Sequence, residues 1–160
     1  MPLREIFLVI HFIGLGFFVA TLVPGFILDS QYRRATDIQT KAILLRSLRP
    51  IGLLSPIAVL VMLITGIANM RSLGLGLFDL GWLTAKIIFF ALAVISGALF
   101  GIKAQKRAKL IHQMIKNEAP SDAESQLREF DRQQRLFYIV QPILLLIIIS
   151  LAVYGRLGGQ

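Results

Sequence analysis

Two side chains in this 160-residue chain sit where water is scarce. His11 follows Ile6-Phe7-Leu8-Val9-Ile10, and Lys86 lies in Gly81-Trp82-Leu83-Thr84-Ala85-Lys86-Ile87-Ile88-Phe89-Phe90. A neutral imidazole in apolar surroundings is a good ligand for a metal ion. An ammonium group there can ligate a metal, hold an anionic group or exchange a proton. Each residue also has a plainer reading. Lys86 can snorkel back to an interface with Trp82 one turn away as an anchor, and His11 can donate a hydrogen bond between helices.

The elements that must position them are four apolar stretches, about residues 6–28, 50–70, 80–102 and 136–155. Each is close to the ~20 residues that cross a bilayer as a helix. The chain is 56% hydrophobic, with a mean hydropathy of +0.72. The alternating pattern of a β-barrel is absent, so helices are the remaining way to satisfy a backbone in lipid. Stretches one and three run in the same direction. His11 lies five residues beyond Ile6 and Lys86 six beyond Leu80, which puts both about 8–9 Å inside the same face. The two groups are therefore expected to meet across a bundle, with Asn69 slightly above them.

The net charge of +8 has the same source. Arg33, Arg34, Lys41, Arg46 and Arg49 follow the first stretch. Lys103, Lys106, Arg107, Lys109, Lys116, Arg128, Arg132 and Arg135 separate the last two. Basic loops stay in the cytoplasm, so both termini are expected outside it, and nucleic acid is not an expected partner. Cysteine is absent, which excludes disulfides, iron–sulfur clusters and thiolate chemistry. The first stretch is too long for a signal peptide and lacks a small-residue cleavage site.

A loop is expected over residues 29–49 and a short turn over 72–79. Lys103 to Lys116 should continue the third helix until Asn117-Glu118-Ala119-Pro120 breaks it. Ser121 and Glu124 have capping-box spacing, so a fourth helix is expected to begin there. Pro24, Pro56 and Pro142 fall inside apolar stretches and should kink them. Thr21, Ser55, Thr65, Thr84, Ser96 and Ser150 can bond their own helix carbonyls. Gln141 can bond a neighbouring helix, and His112 reads as a surface residue. No Asp or Glu falls inside the four stretches, which argues against a buried carboxylate relay.

Imidazole in a cysteine-free bundle suits haem iron. Gly14, at i+3 from His11, and Phe18, at i+7, share its face. Phe89, Phe90 and Gly97 stand at i+3, i+4 and i+11 from Lys86. Small residues with aromatics also describe ordinary close helix packing. Copper would want more histidine or methionine ligands than the chain offers.

His11, the Gly81-Trp82-Leu83-x-x-Lys86 motif, Arg132-Gln133-Gln134-Arg135 leading to Pro142-Ile-Leu-Leu-Leu, and, more loosely, the segment from Arg46 to Pro56 resemble the HemJ-type protoporphyrinogen oxidases. The resemblance spans most of the chain through a handful of positions. The chain departs from the family at Phe17-Phe18-Val19-Ala20 and Val23-Pro24-Gly25-Phe26, at Ile139-Val140-Gln141, and in a longer third loop. That family oxidises protoporphyrinogen to protoporphyrin in the membrane, with a bound b-type haem and quinone as electron acceptor. The resemblance implies His11 as the iron ligand and Lys86 as a second ligand, a porphyrin-carboxylate anchor or a proton carrier.

The expected architecture is all-α: a single domain over residues 1–160, an integral-membrane four-helix transmembrane bundle with helices three and four extended into the cytoplasm. It is a multi-pass protein of the cell membrane. The expected function is haem b binding with porphyrin oxidation or electron transfer to quinone. His11 is the metal ligand, Lys86 the catalytic residue, and His11, Lys86, Asn69, Trp82 and Gly14 surround the cofactor, with Gln141 in support. Expected partners are the lipid bilayer, porphyrin, quinone and further copies of the chain. The alternative is a non-enzymatic membrane protein, a small transporter or structural subunit without cofactor.

Overall fold

A computed structural model describes residues 3–158. The described residues form four helices: α1 (Leu3–Arg34), α2 (Ile38–Ser72), α3 (Gly81–Ile115) and α4 (Ala123–Arg156), with no strand among them. All four are long and apolar enough to cross a membrane.

The helices run further than their apolar stretches. α3 continues to Ile115 and α4 begins at Ala123, as the sequence leads one to expect. The loop expected over 29–49 is instead mostly helix: α1 continues to Arg34, and only residues 35–37 separate it from α2. Two local causes account for this. The Asp37 carboxylate accepts hydrogen bonds from the Thr40 backbone N–H at 2.7 Å and the Thr40 hydroxyl at 2.9 Å, which caps α2. Ile38, Ala42, Leu44 and Leu45 also pack on a buried cluster, so this turn of helix has a tertiary partner. Extension beyond the apolar stretch is therefore common to all four helices rather than special to the last two.

The expected capping box at Ser121 does not form. The residue that caps α4 is Asp122, which makes no side-chain cap bond; its carboxylate instead accepts from Gln126 Nε2 at 2.8 Å. Asn117 takes a left-handed conformation (φ 57°) where α3 ends. In the 73–80 turn, Gly76 N–H donates to Asp79 Oδ2 at 2.6 Å, and a Cβ on Gly76 would lie 2.8 Å from the other carboxylate oxygen.

α1 packs extensively on α2, and α3 on α4; α2 meets α3 over less surface, and α1 touches α4 at few points. The molecule is thus two tight hairpins joined more loosely. The end carrying the 35–37 turn and the α3–α4 loop is its basic end. The far end carries the 73–80 turn. One buried cluster, Tyr32, Leu110, Ile111, Ala123 and Leu127, closes the basic end. A second, Phe18, Ala58 and Met62 with Phe90 and Leu145 against them, lies nearer the middle.

Candidate functional site

α1 carries His11, and α2 sets its state. The Thr65 hydroxyl donates its one proton to the Val61 carbonyl at 2.6 Å, so at 2.9 Å from His11 Nδ1 it can only accept. A ring whose Nδ1–H is donated in this way keeps its Nε2 lone pair for another partner. Gly66, one residue on, lets the ring lie against α2: a Cβ there would sit 3.5 Å from His11 Cε1. Lys86, on the opposite hairpin, is near enough for its charge to act on the imidazole. Both side chains are half-buried.

The other expected site residues have different surroundings. Trp82 lies against α4: a Cβ on Gly155 would fall 2.5 Å from its indole carbons, so only glycine leaves room for the ring. Gly14 is buried against α2, where a Cβ would meet Met62 Cγ at 3.0 Å and Val61 Cγ1 at 3.1 Å. Asn69 is half-buried on α2, one turn beyond Thr65. Gln141 is 2% exposed, and its Nε2 donates to the Ala93 carbonyl at 2.8 Å and the Ser96 hydroxyl at 3.1 Å, while Oε1 has no partner. Gly97 makes room for that amide. His112 is exposed.

Thr21, Thr65, Thr84 and Ser96 do bond their own helix carbonyls. Thr65 and Ser96 do more, since each also accepts from a side chain on another helix.

A haem would find a donor in His11, whose Nδ1 lies against the Thr65 hydroxyl, and a ligating histidine usually has its other ring nitrogen held in such a bond. It would not find a closed pocket. The cavity at the centre of the bundle, lined by Phe18, Met62, Phe90, Ala93, Gln141 and Leu145 among others, is about 20 Å³, room for about one water. His11 is the residue that would hold such a group, and the central packing leaves no enclosed space for it. Among the described residues, no three of His, Cys, Asp or Glu gather as a metal-ion cage.

Sequence reasoning missed the most deeply buried polar group. Asp29 on α1 is 0% exposed and Arg107 on α3 is 1% exposed. Arg107 Nη1 donates to Asp29 Oδ1 at 2.8 Å, and its Nε lies 2.7 Å from Asp131 Oδ1 on α4, an ion pair outside hydrogen-bond alignment. Arg33 pairs with the other Asp29 oxygen at 2.9 Å. The Arg107 guanidinium stacks 3.7 Å from the centroid of the Tyr32 ring, and Lys41 of α2 lies 5.3 Å from the same centroid. All four helices meet here. The signal was depth again: Asp29 adjoins Leu28, Arg107 stands five residues past Ile102 and Asp131 five before Leu136, all within about 8 Å of one edge of the apolar band.

Compared with known proteins, the chain matches no family model, no curated protein and no solved structure.

Proposed function

We propose that this chain is a multi-pass protein of the cell membrane that binds haem b through His11 and works in porphyrin oxidation or electron transfer to quinone. One observation carries the reading: the half-buried His11 ring is held against α2, with Nδ1 2.9 Å from the Thr65 hydroxyl, and the Lys86 charge acts on it from the other hairpin. The concentration of lysine and arginine at one end supports a cytoplasmic basic end, with α3 and α4 reaching into the cytoplasm. A bound haem would supply one-electron chemistry. The chain's own part is to orient the imidazole through Thr65 and Gly66 and to offer the Lys86 ammonium as a second ligand, a carboxylate anchor or a proton carrier. Trp82, Asn69 and Gln141 support the helices that carry these groups. Quinone, porphyrin and further copies of the chain are the partners on this reading.

A second reading has its own observation. Gly14 is filled by α2 side chains, and the bonds of His11 and Gln141 also join helices. On that reading the protein is a cofactor-free transporter or structural subunit.

The visible spectrum separates the two. Protein purified from haem-replete cells in mild detergent is measured oxidised and dithionite-reduced. A Soret band with reduced b-type bands, lost in His11→Ala, upholds the haem reading, and turnover of protoporphyrinogen by wild type and Lys86→Ala then tests the oxidase. Colourless wild-type protein sinks it.

A further inference from the structure

We propose that the outer face of α2 at the basic end is a binding site for an anionic phospholipid, with Arg46 and Arg49 holding its phosphate and Leu53, Ile57 and Leu60 lying along an acyl chain. The proposal needs α2 to cross a bilayer and does not rest on the haem reading.

The site begins with two cations that the chain itself leaves unanswered. Arg33, Arg107, Arg128 and Arg132 each pair with a carboxylate of the chain. Arg46 and Arg49 are exposed, and among the described residues neither forms an ion pair. α2 contains no Asp or Glu from Ile38 to Ser72, and the carboxylate of its cap, Asp37, is taken up by Thr40. A partner for the two guanidinium groups therefore comes from outside the chain. Their spacing suits one small anion. Residues three apart on a helix stand about 5–6 Å apart at Cβ, and each guanidinium presents a planar fork of donors that matches phosphate.

The surroundings assign that phosphate to a lipid. Leu53, Ile57 and Leu60 follow Arg46 by about two, three and four helical turns, so they share its face. Each is more than half exposed. The depths agree as well. At ~1.5 Å per residue, Arg46 and Arg49 stand about 6 and 1.5 Å outside the apolar stretch that starts at Pro50, within a headgroup layer about 5–7 Å thick. Arg49 to Leu60 spans about 16 Å along the helix, close to the ~15 Å hydrocarbon depth of one leaflet. A soluble anion would use the arginines and have no use for the stripe. An acidic protein would meet the arginines from the water and stop short of Ile57 and Leu60. A single anionic lipid engages both parts.

Native mass spectrometry tests this on the full chain, released from nanodiscs of equal phosphatidylglycerol and phosphatidylcholine. Wild type should retain phosphatidylglycerol in preference. One arginine beside an anionic headgroup is worth about 5-fold, so Arg46→Gln with Arg49→Gln should lower the preference about 30-fold. Lys109→Gln with Lys116→Gln removes the same charge from exposed positions. These lie about 10 and 21 Å beyond the apolar stretch that ends at Ile102, where screening is strong, and should change the preference less than about 2-fold. No preference in wild type, or an equal loss in the two variants, overturns the proposal. Glycerol phosphate, a head without tails, should not displace the lipid at equal concentration; displacement would show a site for soluble anions and overturn the proposal too. If the glutamine pair does not insert, Arg46→Lys with Arg49→Lys replaces it, keeping the charge and removing the forks. A weakened preference then upholds the site, and an unchanged one overturns it.

Discussion

At the basic end, Asp29, Tyr32, Arg107 and Ile111 are almost wholly removed from solvent, while at the far end His11, Lys86, Trp82 and Asn69 are all half-exposed. The inversion is instructive. In water, charges sit outside and apolar groups inside. In a bundle whose apolar faces suit lipid, exposed leucine and isoleucine cost little, and there is no hydrophobic force to press the helices together. Tight burial then appears where helices leave the apolar band, and charges placed there must find partners. The far end, with little to seal it, can keep a histidine accessible.

The largest test of this contrast is Arg107→Met. It leaves Asp29 and Asp131 as buried carboxylates without their shared partner, and should cost about 3–5 kcal/mol, read by denaturant or thermal unfolding in detergent. A loss no greater than that of an exposed arginine such as Arg128 would mean that the basic end is not the better-held one. At the far end, Gly155→Ala pushes a methyl group into the Trp82 ring. A cost of about 1–3 kcal/mol is expected. Because Trp82 is the only tryptophan, its emission should shift as well. Smaller again is Thr65→Val, which removes the acceptor for His11 and should cost about 0.6–1.7 kcal/mol. A double-mutant cycle with His11→Ala should show the two losses coupled; additive losses would mean that Thr65 does not hold the ring.

The smallest effect belongs to Asp37. Hydrogen bonds from the Thr40 backbone and then its side chain hold the Asp37 carboxyl below the usual carboxylate range. A carboxyl with a lowered folded pKa adds stability that is complete above its unfolded value and fades as the pH falls through its folded one. Asp37→Ala should therefore destabilise at neutral pH and converge on wild type on the acid side of that range. A difference that persists unchanged into strong acid would show that the cap acts without its charge.

Much of the bundle was legible because lipid imposes simple rules: length sets the spans. The turn of the first hairpin was not legible, because charge density at Arg33, Arg34 and Lys41 reads as loop. Its helicity depends on a three-residue reach from Asp37 to Thr40 and on packing of Ile38 and Ala42 against distant Leu110 and Ile111. The buried ion cluster was hidden for a related reason. Arg107 looks like one more solvated cation among Lys103, Lys106 and Lys109 until the fold brings Asp29 and Asp131 to it. Nor does spacing alone reveal that the Thr65 hydroxyl lies 2.9 Å from His11 Nδ1.

The spacing of the Asp29–Arg107 pair along the chain bears on how the protein is made. Arg107 follows Asp29 by 78 residues. At ~5–20 residues per second a ribosome takes about 4–16 s to deliver it. For that interval the residues of the first hairpin have all been made, while the distant partner of Asp29 has not. Arg33, one turn away on the same helix, is present from the start and pairs with it at 2.9 Å. The local arginine is thus a partner that Asp29 can meet within its own helix before Arg107 has been made.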